Sequence, residues 1–216
     1  MERQLSLPIY ITAFLLSLLI FVVGVYIGHV IDTNNLNLLS GKVTNMSNRI
    51  SSVNLLLLID PSSSSCPIYL SELDSLDLEV ELIGHRLAYL EDEKHVFDND
   101  LKRSYFLLEA ESLLLTKKVN SLCPNNRSLV LINFYSNKNC QSCFNQGMEI
   151  LRARDELQSD LDIKLFSFDG DLASPVVESL KSTYNVSLYP TIVVENSTYS
   201  GFKTKSEIIQ IIKGSK

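Results

Sequence analysis

Two cysteines three residues apart, Cys140 and Cys143, follow an apolar run, Leu129–Tyr135, and a short polar loop, Ser136–Asn139. A pair at this spacing at a helix start can close a reversible disulfide, and the positive end of the helix dipole there favours a thiolate. Taken alone, Cys140-x-x-Cys143 could also be half of a zinc site. The chain holds no second Cys-x-x-Cys and no paired histidines to complete one. An inert structural disulfide is a further reading of the same two residues. Downstream, Tyr189-Pro190-Thr191 precedes another apolar run, Ile192-Val193-Val194. Proline supplies no N–H to a sheet ladder, which suits a place at the opening of a strand.

These groups need a scaffold, and the residues between them alternate strand and helix. Leu129–Tyr135 is a first strand, and residues 140–157 form a helix with Phe144, Met148, Leu151 and Leu157 on one face. Ile163–Phe168 is a second strand that ends in Asp169-Gly170-Asp171. Ser174 and Pro175 open the next helix as N-cap and first residue. Thr191–Glu195 and Thr198–Phe202 flank Asn196-Ser197 as a hairpin, and Thr204 with Glu207 makes a capping box for a last helix carrying Ile208, Ile209, Ile211 and Ile212. The order β-α-β-α-β-β-α gives a central mixed sheet with helices packed on it, an α/β fold.

Strand, Cys140-x-x-Cys143 at a helix start, Tyr189-Pro190-Thr191 before a strand, and a closing hairpin with Gly201 and a terminal helix together resemble the thioredoxin superfamily over residues 124–216. The resemblance implies that Cys140 is the exposed nucleophile and Cys143 the more buried resolving thiol. It implies a cis peptide bond between Tyr189 and Pro190, with Tyr189, Pro190 and Thr191 holding an extended substrate segment beside the disulfide. Cis costs little only at proline. The sequence also departs from the family pattern. Asn139 stands where a Trp often precedes the first Cys, and Gln141-Ser142 lie between the cysteines. Asn133 replaces a buried Asp, and Leu165 lies near the place of its usual Lys partner. Asn133 cannot accept a proton from the resolving thiol. The three histidines, His29, His85 and His95, all lie outside 124–216. Activation of Cys140 is therefore expected from the helix terminus and Lys138.

The rest of the chain tethers this part. No Asp, Glu, Lys or Arg occurs from Gln4 to Ile31, and residues 8–31 are apolar enough to span a bilayer. The run is too long for a signal-peptide core and no small-x-small cleavage site follows, so it reads as an uncleaved anchor. Arg3 and the amino terminus on the short side favour a cytoplasmic 1–7 and an extracytoplasmic remainder. The sequons at Asn45, Asn126, Asn185 and Asn196 suit export, yet a chain this rich in Asn and Ser would carry several by chance. A net charge of −6 argues against a nucleic-acid partner.

Residues 32–123 carry three heptad-like seams. The first runs through Leu36, Leu39, Val43, Met46, Ile50, Val53 and Leu57 and ends at Asp60-Pro61 and the serines after it. The second is Leu73, Leu76, Val80, Ile83, Leu87 and Leu90. After a break near Phe97–Asp100, the third holds Leu101, Tyr105, Leu108, Leu115 and Val119. They predict an antiparallel helical hairpin or three-helix stalk, with self-association as a parallel coiled coil the rival. Cys66 precedes the second seam and Cys123 follows the third. Two helices of about 23 residues each run about 35 Å and return the chain to its start, which would bring these cysteines together as a structural disulfide. Two unpaired buried thiols, or a second redox pair exchanging with Cys140 and Cys143, are the alternatives.

The sequence thus predicts a membrane-anchored thiol–disulfide oxidoreductase acting on protein thiols or disulfides, recharged by a redox partner, with no metal and no organic cofactor. The alternative is a tethered protein-binding module whose Cys pair is structural.

Overall fold

The computed structural model describes residues 7–59, 63–138 and 140–215. Asp60-Pro61, the expected end of the first seam, and Asn139 lie outside the described residues. By compactness the chain divides into residues 1–41 and 42–216.

In the first unit, α1 (Leu7–Ile59) begins and runs without interruption into the second. It includes the one helix stretch among the described residues that is long and apolar enough to cross a membrane, Tyr10–Gly28, with a mean hydropathy of 2.5. Its large side chains, among them Phe14, Phe21 and Tyr26, are exposed.

In the second unit, the α1 residues Val43, Met46, Ile50, Val53 and Leu57 are buried. So are all six seam residues of α2 (Cys66–Asp92) and all five of α3 (Asn99–Leu122). Fully burying each Leu or Ile stabilises by about 1.5–3 kcal/mol, so these seams hold the helices together. The half-buried pair of Arg49 with Glu72 and its more exposed contact with Glu79 add little. Asp98 starts α3 by accepting the N–H groups of Asp100 and Leu101, each at 3.0 Å.

The sheet has the order β2-β1-β3-β4, with β1 (Leu129–Tyr135) parallel to β2 (Ile163–Asp169). β3 (Thr191–Val194) is antiparallel to both β1 and β4 (Ser197–Ser200). Leu129, Leu131, Ile163 and Ile192 face a core with Ile150, Ala153 and Leu157 of α4 (Gln141–Leu157) and Ile208 and Ile212 of α6 (Lys205–Gly214). On the opposite face, Phe134 and Phe168 meet Phe106 of α3 and Tyr184, which follows α5 (Pro175–Thr183). β1 is thus covered on both sides, which is why it reads as a continuous apolar run. Because α3 supplies part of that cover, the helices share one compact unit with the sheet.

Two local expectations are corrected. The buried face of α4 is Cys143, Gln146, Ile150, Ala153 and Leu157, while Phe144 is 78% exposed and Met148 is also exposed. Gln146 can face inward because its amide pairs with the backbone of Lys203, accepting at 2.6 Å and donating at 3.2 Å. The hairpin turn is Glu195-Asn196, one residue earlier than expected, with Ser197 opening β4. Glu195 has φ 59° there, and its carboxylate accepts the N–H of Val130 and pairs with Arg127. The capping box of Thr204 and Glu207 forms as expected.

Candidate active site

The loop after β1 is built to carry two sulfurs. Gly170 N–H donates to the Tyr135 carbonyl at 2.8 Å, tying the end of β1 to the turn after β2. Cys140 then sits at the N-cap of α4, and Cys143 lies one turn in. The two are disulfide-bonded, with Cα atoms 5.3 Å apart. Cys140 is half-buried, whereas Cys143 is 6% exposed. The first turn of α4 contains no acidic residue to oppose a thiolate. Ser136 N–H donates to the Cys143 sulfur at 3.4 Å, a second source of stabilisation for negative charge there.

Tyr189 and Pro190 are joined by a cis peptide bond. Tyr189 lines a cleft of about 470 Å³ together with Cys140, Gln141, Ser142 and Asn145. The fold therefore brings Tyr189 to the half-buried Cys140. Pro190 is buried, and its carbonyl accepts Gly201 N–H at 2.8 Å. Thr191 is fully buried, donates its hydroxyl to the Leu188 carbonyl at 2.7 Å and stands opposite Phe134 and Ser200 in the sheet. Cys66 and Cys123 form the other disulfide, closing the open end of the α2–α3 hairpin. Among the described residues, no group of three or more His, Cys, Asp or Glu could hold a metal ion.

The departures also take physical form. Asn133 is buried, and its Oδ1 has no hydrogen-bond partner among the described residues. Leu165 is half-buried, and the neighbouring Lys164 turns to Asp74 and Asp77 of α2. Lys138 is exposed, and its N–H is held by Asp171 at 3.1 Å.

Several polar groups around the loop were not singled out from the sequence. Asp169 Oδ2 accepts the Asn137 amide at 3.1 Å and lies 3.1 Å from the ammonium of Lys102. Lys102 is buried and also pairs with Glu91 at 2.8 Å. Burial pulls the Lys102 ammonium down, but the two carboxylates outweigh it and leave the group above its ordinary value. Asp171 accepts the Ser136 hydroxyl at 2.6 Å. Burial pushes its carboxyl up, while Ser136 and the backbone of Lys138 hold it below the usual range. Asp169-Gly170-Asp171 is visible in the sequence as a strand end, but Lys102 and Glu91 look like ordinary solvated helix residues there.

Gly170 meets a steric demand. A Cβ at this position would overlap the Tyr189 ring, whose hydroxyl donates to the Gly170 carbonyl at 3.2 Å. Gly170→Ala is therefore expected to displace Tyr189 from the cleft and slow disulfide exchange about 10–100-fold, with Cys140 still present. Stopped-flow reduction of the Cys140–Cys143 bond by a peptide dithiol measures this. An unchanged rate would show that Tyr189 does not position the substrate.

The strand order, the helices on both faces and the cis proline loop beside the Cys pair are a thioredoxin-like arrangement. No family model matches the chain. No curated protein matches it either. Among solved structures it is similar to chloroplastic thioredoxin z, at 17% identity and a TM-score of 0.35, covering 45% of this chain and 87% of that one. It is similar to the first thioredoxin domain of mouse protein disulfide-isomerase A4, at 22% identity and a TM-score of 0.33, covering 45% and 69%. The germline-specific thioredoxin Deadhead of Drosophila melanogaster matches at 18% identity and a TM-score of 0.29, covering 41% and 79%.

Proposed function

We propose that this protein is a membrane-anchored thiol–disulfide oxidoreductase acting on protein thiols and disulfides through Cys140 and Cys143. The observation that carries the reading is the asymmetry of the pair: one sulfur half-buried at a helix N-cap beside a cleft, its partner buried one turn in. In one direction, the Cys140 thiolate attacks a substrate disulfide, forming a mixed disulfide and releasing one substrate thiolate. Cys143 then attacks Cys140, closing the internal disulfide and releasing the second. The reverse sequence oxidises a substrate dithiol. Tyr189, Pro190 and Thr191 border the extended segment that carries the reacting sulfur.

Residues 8–31 are the anchor in this reading, with 1–7 cytoplasmic and the oxidoreductase part extracytoplasmic. The Cys66–Cys123 bond supports that side, because disulfides away from a redox centre persist in oxidising compartments.

Removing the resolving thiol tests the function. Cys143→Ala is expected to accumulate mixed disulfides between Cys140 and other proteins, visible as dithiothreitol-sensitive bands on non-reducing gels of membranes. Cys140→Ala/Cys143→Ala is expected to show none. If Cys143→Ala traps nothing and the wild-type pair resists moderate dithiothreitol, the Cys pair is structural and the tethered binding module is the better description.

A further inference from the structure

The helical hairpin reaches the cysteine loop through one continuous line of polar contacts. Lys102 on α3 lies 2.8 Å from Glu91 on α2 and 3.1 Å from Asp169 at the end of β2. Asp169 holds the loop and the turn after β2: Oδ2 accepts from the Asn137 amide, and Oδ1 accepts the N–H of Asp171 at 3.0 Å. Asp171 accepts the Ser136 hydroxyl, and the Ser136 N–H donates to the Cys143 sulfur. Every link from Lys102 to the sulfur is thus a hydrogen bond or an ion pair.

This arrangement is poor design for mere adhesion. Taking a Lys and two carboxylates out of water costs several kcal/mol per ion, and apolar residues of the same volume usually hold such a contact as well or better. A little further along the same interface, α3 does meet the sheet through apolar rings, Phe106 against Phe168. The buried charges stand instead at the end of β2, where Asp169 touches the loop that carries the cysteines.

We propose that Lys102 is a positioning residue for the Cys140–Cys143 couple, fixing Asp169 and setting the charge behind the loop, so that the α2–α3 hairpin tunes the reduction potential. The inference rests on the oxidoreductase reading above. Reduction by glutathione breaks the Cys140–Cys143 bond and forms glutathione disulfide, while two electrons and two protons pass to the protein, and one of these protons goes on to solvent where Cys140 ionises. The reduced pair is the form that carries thiolate, so negative charge added behind the loop disfavours it. One Lys and two carboxylates sum to −1. Lys102→Met makes the cluster −2 and loosens the loop, and Glu91→Gln makes it neutral while leaving Lys102 on Asp169.

The test is equilibration of the full chain in detergent with glutathione redox buffers. Alkylation and peptide mass analysis read Cys140 and Cys143 separately from Cys66 and Cys123. Lys102→Met is expected to lower the equilibrium constant for reduction about tenfold, a shift of about 30 mV to more negative potential. Glu91→Gln is expected to raise it about threefold, and Lys102→Arg to stay within about twofold of the wild type. General loosening of the fold would not move two variants in opposite directions. Shifts of the same sign, or shifts within about twofold in both Lys102→Met and Glu91→Gln, overturn the proposal. Should Lys102→Met not fold, an unchanged or lowered constant in Glu91→Gln overturns it alone. A wild-type pair that never responds to glutathione removes the oxidoreductase reading itself, whereas a responsive wild type with inert variants removes only the role of Lys102.

Discussion

Cys66→Ala/Cys123→Ala is expected to unfold at a free energy about 4 kcal/mol below the wild type. The bond joins residues 57 apart in sequence, so in the unfolded chain it closes a long loop, and most of its stabilisation comes from the entropy that closure removes. The helices it joins keep their buried seams without it, so the variant should still fold at low temperature. Urea unfolding of the full chain in mild detergent measures the loss as a lower midpoint. A cost below about 1 kcal/mol would mean that the seams already restrain the unfolded hairpin. Redox exchange at Cys140–Cys143 is expected to stay as in the wild type. Cys123 lies before β1 and Cys140 after it, and seven strand residues separate the ends by about 20 Å. Direct transfer between the two pairs would require the sheet to open, so a slowed active-site exchange in this variant would revive the reading of Cys66 and Cys123 as a second redox pair.

Glu109 is expected to make the protein less stable as pH rises from about 4.5 to about 7. Its carboxyl is buried between α3 and the outer side of β2, accepting the Tyr105 hydroxyl at 2.5 Å and the Ser167 N–H at 3.0 Å. Burial pushes it up, the two hydrogen bonds pull it down, and the result is about 7 against an ordinary 4.5. A raised folded-state pKa means that the native state holds the proton more tightly than the unfolded state. The stabilisation is therefore complete below about 4.5 and is lost as pH climbs to about 7. At 1.36 kcal/mol per unit, the loss is about 3 kcal/mol. Glu109→Gln imitates the protonated acid: its carbonyl can accept from Ser167, and its amide can donate to a Tyr105 hydroxyl turned round to accept. The variant should match the wild type near pH 4.5 and exceed it by about 3 kcal/mol at pH 8. Comparing the two across pH cancels every other titrating group, Asp77 included. A constant difference between them would mean that Glu109 stays ionised throughout.

Much of this arrangement was readable from residue spacing, because its strongest signals are periodic. The seams of α2 and α3 consist almost wholly of Leu, Ile and Val at heptad positions, and each of those side chains is buried. The Thr204 capping box and the β1 run behave in the same direct way. The spacing failed where a polar side chain faces inward. Gln146 is buried on α4 because Lys203 satisfies its amide, and a pattern that counts only apolar residues turned the helix by about one residue, toward Phe144. Lys102 and Glu109 escaped for the same reason. A charge on a helix reads as solvated until its partners are known, and these partners come from distant elements, Asp169 and the Ser167 N–H of β2. At the candidate site, the sulfurs and the Tyr189-Pro190 loop were named from motif spacing. The support behind the sulfurs was hidden, because it depends on how α2 and α3 lie against the sheet.

The two margins of the sheet are unequal. β4 is short and exposed at one of them. Along the other, Glu109 occupies an outward N–H of β2, and Lys164 of the same strand is tied to carboxylates of α2. Strand-to-strand growth into a fibre needs two open margins on every copy, one to join and one to be joined. With a single open margin, two copies can pair through β4, and the pair then offers nothing for a third to add to. The same helices that sit behind the sulfurs thus make the sheet a chain terminator for its own aggregation.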